Sequence, residues 1–124
     1  MTKARVLEAV RAICLGLPET NERLSHGAPT FFIRDKRSFA TVWSNHHGDG
    51  RFALICAAPA GMQVALVEAD PERFYVPPYF GHRGWIGVRL DRGFDRDEIA
   101  GIIEDAYAEV ASPKLVEAAQ RGAE

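Results

Sequence analysis

Phe31-Phe32-Ile33, Phe39-Ala40-Thr41-Val42-Trp43 and Arg51-Phe52-Ala53-Leu54-Ile55-Cys56 are three short runs rich in β-branched and aromatic residues. Turn-forming segments separate them, first Arg34-Asp35-Lys36-Arg37 and then Asn45-His46-His47-Gly48-Asp49-Gly50. Strands joined by connections this short pair as antiparallel hairpins, because a parallel pair needs a crossover of about a dozen residues or more. A weaker strand is expected at 20–24, ahead of these runs. Downstream, Phe74-Tyr75-Val76 is a candidate for extended chain, and Pro77-Pro78 forbids a central strand there. Trp85-Ile86-Gly87-Val88-Arg89-Leu90 is the last strand, with Trp85, Gly87 and Arg89 on one face and the aliphatic residues on the other.

Outside the strands the period changes. Val6, Leu7, Val10, Ile13, Cys14 and Leu17 fall on one stripe, which predicts a helix over 3–17 stopped by Gly16 and Pro18. Met62, Ala65, Leu66 and Ala69 predict a shorter helix over 59–69 with Pro59 in its first turn. Asp95 and Glu98 form an acidic capping box for a long helix whose buried stripe is Ile99, Ile102, Ile103, Ala106, Tyr107 and Val110. Ser112-Pro113 restarts a short helix. The element order is α, three or four β, α, β, α. Strands that run together rather than alternating with helices imply an α+β fold. We expect an antiparallel sheet of about five strands with the N- and C-terminal helices packed on it. Val10, Ile102 and Ile103 should be buried, and Trp85 should seal one end of the core. No linker or repeat divides the chain, so residues 1–124 are read as a single domain.

The formal charge is −2 overall, but residues 1–90 carry eleven Lys/Arg against eight Asp/Glu, and residues 91–124 carry four against nine. The C-terminal part is therefore an acidic, solvated face. Cys14 and Cys56 sit in apolar runs and read as core packing. No secretory h-region and no apolar run of about 20 residues is present, so the expected location is the cytoplasm, with no membrane partner.

The run His26-Gly27-Ala28-Pro29-Thr30-Phe31, with Lys36 and Phe39-Ala40 after it, resembles the MmcQ/YjbR family. So do the segment from Asp70 to Tyr79, Gly84-Trp85-Ile86-Gly87-Val88 and the Ala106-Tyr107 helix. The likeness extends over residues 3–115. It implies a curved antiparallel sheet carrying helices, and a proposed double-wing motif for binding DNA. Some similar chains carry a phosphoribosylglycinamide formyltransferase label.

Two groups of residues offer chemistry. Arg34, Lys36 and Arg37 in one turn, with Arg51 after the next, could lay cations against the phosphates of double-stranded DNA. Four such contacts imply a salt slope of about −3.6 and little reading of base edges. The second group is the loop Tyr79-Phe80-Gly81-His82-Arg83-Gly84-Trp85. Together with His26, its Tyr79, His82, Arg83 and Trp85 could line a pocket for a small anionic or aromatic ligand.

Other chemistry is poorly supplied. His26, His46, His47 and His82 match no zinc spacing, so no metal is expected, and no cofactor motif is present. Asn45, His46 and Asp49 contain the residue types a formyltransferase uses, but turn chemistry explains them, and no Gly-rich phosphate loop accompanies them. With no catalytic set to name, the chain reads as a binding module rather than an enzyme. A contiguous basic stripe over both hairpin tips would favour DNA, and a concave aromatic pocket would favour a small molecule. A third reading is a protein-interaction domain using its sheet.

Overall fold

The strand-rich stretch does fold into hairpins. A computed structural model describes residues 1–122. In it β1 (Thr20–Ser25), β2 (Ala28–Ile33), β3 (Arg37–Ser44) and β4 (Phe52–Cys56) form a meander, each antiparallel to the next. β6 (Ile86–Arg89) pairs with β4, and β5 (Phe74–Tyr75) closes the far edge, giving the order β1-β2-β3-β4-β6-β5. The sheet thus has six strands rather than about five, because the two residues of β5 pair as a strand before Pro77-Pro78 ends it.

The turns explain the register. His26 and Gly27 have φ of 51° and 78°, and Arg34 and Asp35 have φ of 53° and 56°. In the two-residue His26-Gly27 turn, paired positive φ values match the right-handed twist of the strands it joins, and the three-residue Arg34-Asp35-Lys36 turn opens on the same pair of values. The second turn is tied back to β1. Arg34 forks onto Glu19 at 3.0 and 2.8 Å, and Asp35 accepts from Arg23 Nε at 2.7 Å and Asn21 Nδ2 at 3.1 Å.

Between β2 and β3 the register slips. Phe31 faces Ala40 but Phe32 faces Ser38, so Phe39 is an extra residue on β3. Such a bulge puts two successive residues on one face and re-aims those beyond it. Here it turns Phe39 onto the helices, where its ring meets Tyr107 edge-on at 5.6 Å and 88°.

α1 (Lys3–Leu15), α3 (Arg96–Val110) and α4 (Pro113–Gly122) are the terminal helices. α3 packs on β3 and against α1, which also touches β1. Val10, Cys14, Ile99, Ile103 and Ala106 meet Phe31, Val42, Leu54, Ile86 and Val88 in one core. Val10, Ile102 and Ile103 are buried as the stripes predict. Tyr107, almost wholly buried, donates to Pro18 O at 2.8 Å and so anchors α3 to the end of α1.

Two helix starts depart from expectation. α2 (Met62–Ala69) begins after Gly61 at φ 86°, and Pro59 lies ahead of it, its carbonyl accepting from Met62 N at 3.0 Å. Asp95 caps α3 through Asp97 N and Glu98 N at 3.0 and 3.2 Å. The Glu98 carboxylate does not close the box; it pairs with Arg73 instead. Among the described residues no helix is long and apolar enough to cross a membrane.

Candidate functional site

α1 and α3 pack on one face of the sheet. On β2 and β3 the positions turned the other way are Thr30 and Phe32, then Ser38, Thr41 and Trp43. Ser38 and Thr41 are three apart and share that face because the bulge at Phe39 intervenes. They floor a cleft of about 540 Å³. His46, His47, Tyr79, Phe80 and Trp85 wall it, and Ser25 and His26 stand at the β1–β2 turn.

The wall is a chain of rings. His46 stacks on Trp43 at 3.8 Å and 10°, and Phe80 stacks on Trp85 at 4.7 Å and 17°. Trp43 and Phe80 bridge the two stacks at 6.0 Å. Tyr79 meets both imidazoles edge-on, and its hydroxyl lies 3.2 Å from His47 Nε2. The floor is hydroxylic. Thr30 Oγ1 and Thr41 Oγ1 are 2.9 Å apart, and they also reach the carbonyls of Ala28 and Pro29, each at 3.0 Å. Two hydroxyl protons cannot serve all three contacts at once, so acceptor capacity is left over at the floor.

Among the described residues, no Asp, Glu, Lys or Arg lines this cleft. Burial first, and the neighbouring His47 second, hold the His46 imidazole below its ordinary pKa, which favours the neutral ring. Three lining residues, His26, His47 and Tyr79, have φ of 51°, 51° and 69°. Non-glycine residues held there cost about 1–3 kcal/mol each and tend to cluster where a site requires them. The strand-to-loop chain is fixed from outside by Gln63, whose Nε2 donates to Gly81 O at 2.9 Å and Trp85 O at 2.6 Å.

Of the expected pocket residues, His26, Tyr79 and Trp85 line the cleft, whereas His82 and Arg83 do not. Arg83 lies over the Trp85 ring at 5.1 Å and over Phe80 at 5.8 Å, so it backs the wall rather than facing the cavity. Trp85 is 4% exposed, sealing the core and lining the cleft at once. Trp43, His46 and His47 were legible only as a strand end and a turn. Their signal is the Thr41-x-Trp43 alternation leading straight into paired histidines. Among the described residues no group of three or more His, Cys, Asp or Glu is placed to hold a metal ion.

The four candidate DNA-contacting cations do not come together. Arg34, Lys36 and Arg37 sit at the start of β3, and Arg51 sits past its end, where its carbonyl accepts from Asn45 N. Eight strand residues separate these ends by about 26 Å. Arg34 is engaged by Glu19, and Arg51 lies over the Tyr75 ring at 4.0 Å. Lys36 and Arg37 form no ion pair among the described residues.

One antiparallel sheet, with α1 and α3 on one face and a ring-walled cleft on the other, defines a small α+β domain of the single-sheet kind. The chain belongs to the YjbR family, whose model matches residues 15–109. A solved structure, that of protein DR2400 of Deinococcus radiodurans, described as carrying the domain DUF419, is similar to it with a TM-score of 0.71. The two share 17% identity, and the alignment covers 93% of this chain and 85% of that one, so the likeness is one of fold. No curated protein matches the chain.

Proposed function

We propose that this protein binds a small, uncharged, planar heteroaromatic molecule in the cleft on the sheet face opposite α1 and α3. The observation that carries the reading is the wall of stacked rings around a cavity of about 540 Å³ with no charged Asp, Glu, Lys or Arg side chain in its lining. That volume is in the range of small-molecule sites. Rings offer faces for stacking, and the hydroxyls of Ser38, Thr30 and Thr41 orient a ligand's polar edge. The two nearby guanidinium groups are otherwise placed: Arg83 lies over the Trp85 and Phe80 rings, and Arg23 lies over the Phe32 ring at 3.8 Å while it pairs with Asp35.

Both tryptophans of the chain, Trp43 and Trp85, line the cleft, so intrinsic fluorescence reports on its occupancy. Titration with neutral heteroaromatics such as indole or nucleosides should quench or shift the emission saturably. Tyr79→Ala should weaken the response while leaving the fold intact, because Tyr79 is exposed. A panel that never saturates the signal would remove the support for this reading.

Duplex DNA is the second reading, favoured by the unpaired Lys36 and Arg37 at the β2–β3 turn. The cations it needs are dispersed, and Glu19 and Asp35 stand among them.

A further inference from the structure

A second hollow, of about 190 Å³, is lined by Arg51, Pro71, Glu72, Tyr75, Arg89 and Arg92. Its chemistry is opposite to that of the aromatic cleft. Three guanidinium groups and the Glu72 carboxylate line it, with Asp49 and Asp91 at its rim, and each guanidinium brings five N–H donors in a rigid plane. Arg89 spends Nε and one Nη on Asp91, both at 3.0 Å. Arg51 is less engaged. Its nearest carboxylate oxygen, on Asp49, is 3.9 Å away, and its plane is set by the Tyr75 ring at 4.0 Å beneath it. Arg92 is exposed and forms no ion pair among the described residues. The Tyr75 hydroxyl is buried with no hydrogen-bond partner, one more donor unspent.

The Tyr75 ring is there because β6 has a glycine opposite it. A Cβ on Gly87 would lie 2.5 Å from Tyr75 Cε1. The register therefore seats the ring on the sheet, the ring seats Arg51, and Arg89 arrives from the same strand as Gly87. From these placements we propose that the hollow between Arg51, Arg89 and Arg92 is a binding site for a compact anionic group, a phosphate carried by a small molecule. Guanidinium forks match phosphate oxygens in both geometry and charge. At about 190 Å³ the hollow admits a compact group between the guanidiniums, whereas a long polyanion would have to lie across the surrounding carboxylates of Glu72, Asp49 and Asp91, so a small phosphate and not a nucleic-acid backbone is the occupant chosen.

The test uses the whole chain and inorganic phosphate at constant ionic strength, with chloride as the balancing anion. Side-chain Nε–Hε signals of Arg51, Arg89 and Arg92 are followed by nuclear magnetic resonance. The expected result is a saturable shift at Arg51 and Arg92, reproduced by a phosphate monoester and weakened at least about tenfold by Arg51→Gln, as loss of a charge-assisted contact implies. Arg92→Gln should weaken it too, and since Arg92 has no partner to lose, that variant keeps the fold even if Arg51→Gln does not. A shift that grows linearly without saturating, or that both variants leave unchanged, overturns the proposal. Saturation by a short DNA duplex but not by phosphate or the monoester overturns it as well. None of these outcomes touches the fluorescence response to neutral ligands, so this site and the aromatic cleft stand or fall separately.

Discussion

His46 is the histidine whose titration the fold lowers. Its folded pKa lies below the ordinary value of 6.5, through burial first and His47 second. The unfolded chain therefore takes up the proton first as pH falls, and stability is lost from about 6.5 downward until the folded imidazole titrates too. A urea series at pH 8, 6 and 5 should show the midpoint steady at first and then falling, and His46→Gln should flatten that fall. An equal fall in the variant contradicts the assignment. Gly87 makes a different kind of prediction. Any side chain there meets the Tyr75 ring at 2.5–2.9 Å, so Gly87→Ala should cost about 1–3 kcal/mol by overpacking. Adding Tyr75→Ala should make the combined loss less than the sum of the single losses, read by denaturation of all three variants. Neither residue's role is written in its local sequence. A glycine inside an alternating strand signals a close approach, but only the pairing of β5 with β6 says what approaches.

At the scale of elements, the helices and central strands were legible because burial imposes their periods. Val6, Val10 and Cys14 on α1, and Ile99, Ile102, Ile103, Ala106 and Tyr107 on α3, are buried on the stripes the spacing marks. Ile103→Ala should therefore cost about 2–5 kcal/mol in equilibrium unfolding, with no loss of far-ultraviolet signal in the native state. A cost within about 0.5 kcal/mol, the range of surface changes, would place α3 off the core. Less was legible where pairing, not burial, decides the conformation. Thr20-Asn21-Glu22-Arg23-Leu24 is a polar edge strand, and β5 is two residues long. The bulge at Phe39 could not be read from the pattern, since Phe39-Ala40-Thr41-Val42-Trp43 is a nearly continuous run of β-branched and aromatic residues without a clear period of two. That one extra residue moves Ser38 onto the face of Thr41 and Trp43, so the floor of the cleft was hidden while the Tyr79–Trp85 part of its wall was not. α2 begins late because the left-handed Gly61 sets its start and not Pro59.

Taken as a whole, the sheet has one face packed by α1 and α3 and an opposite face that carries both proposed sites, which differ in chemistry. Rings and hydroxyls make up the cleft by Trp43, and guanidinium groups surround the hollow by Arg89, which the register Trp43–Ala53–Arg89 places two strands, or about 10 Å, away. The cations of the two hairpin turns are too far apart to form one stripe. If DNA binds through Lys36 and Arg37 alone, the slope of log K against log salt should be near −1.8 rather than about −3.6, and Lys36→Ala with Arg37→Ala should abolish it. A steeper slope would mean that cations from both ends engage together. The central claim, however, concerns the cleft, and the indole N–H signals of Trp43 and Trp85 address it site by site. During titration with a neutral planar heteroaromatic that quenches the fluorescence, both signals should move together and saturate at one common concentration, and Thr41→Val should shift that concentration upward. Indole signals that stay fixed while such a ligand binds, or that move without saturating, would contradict the account.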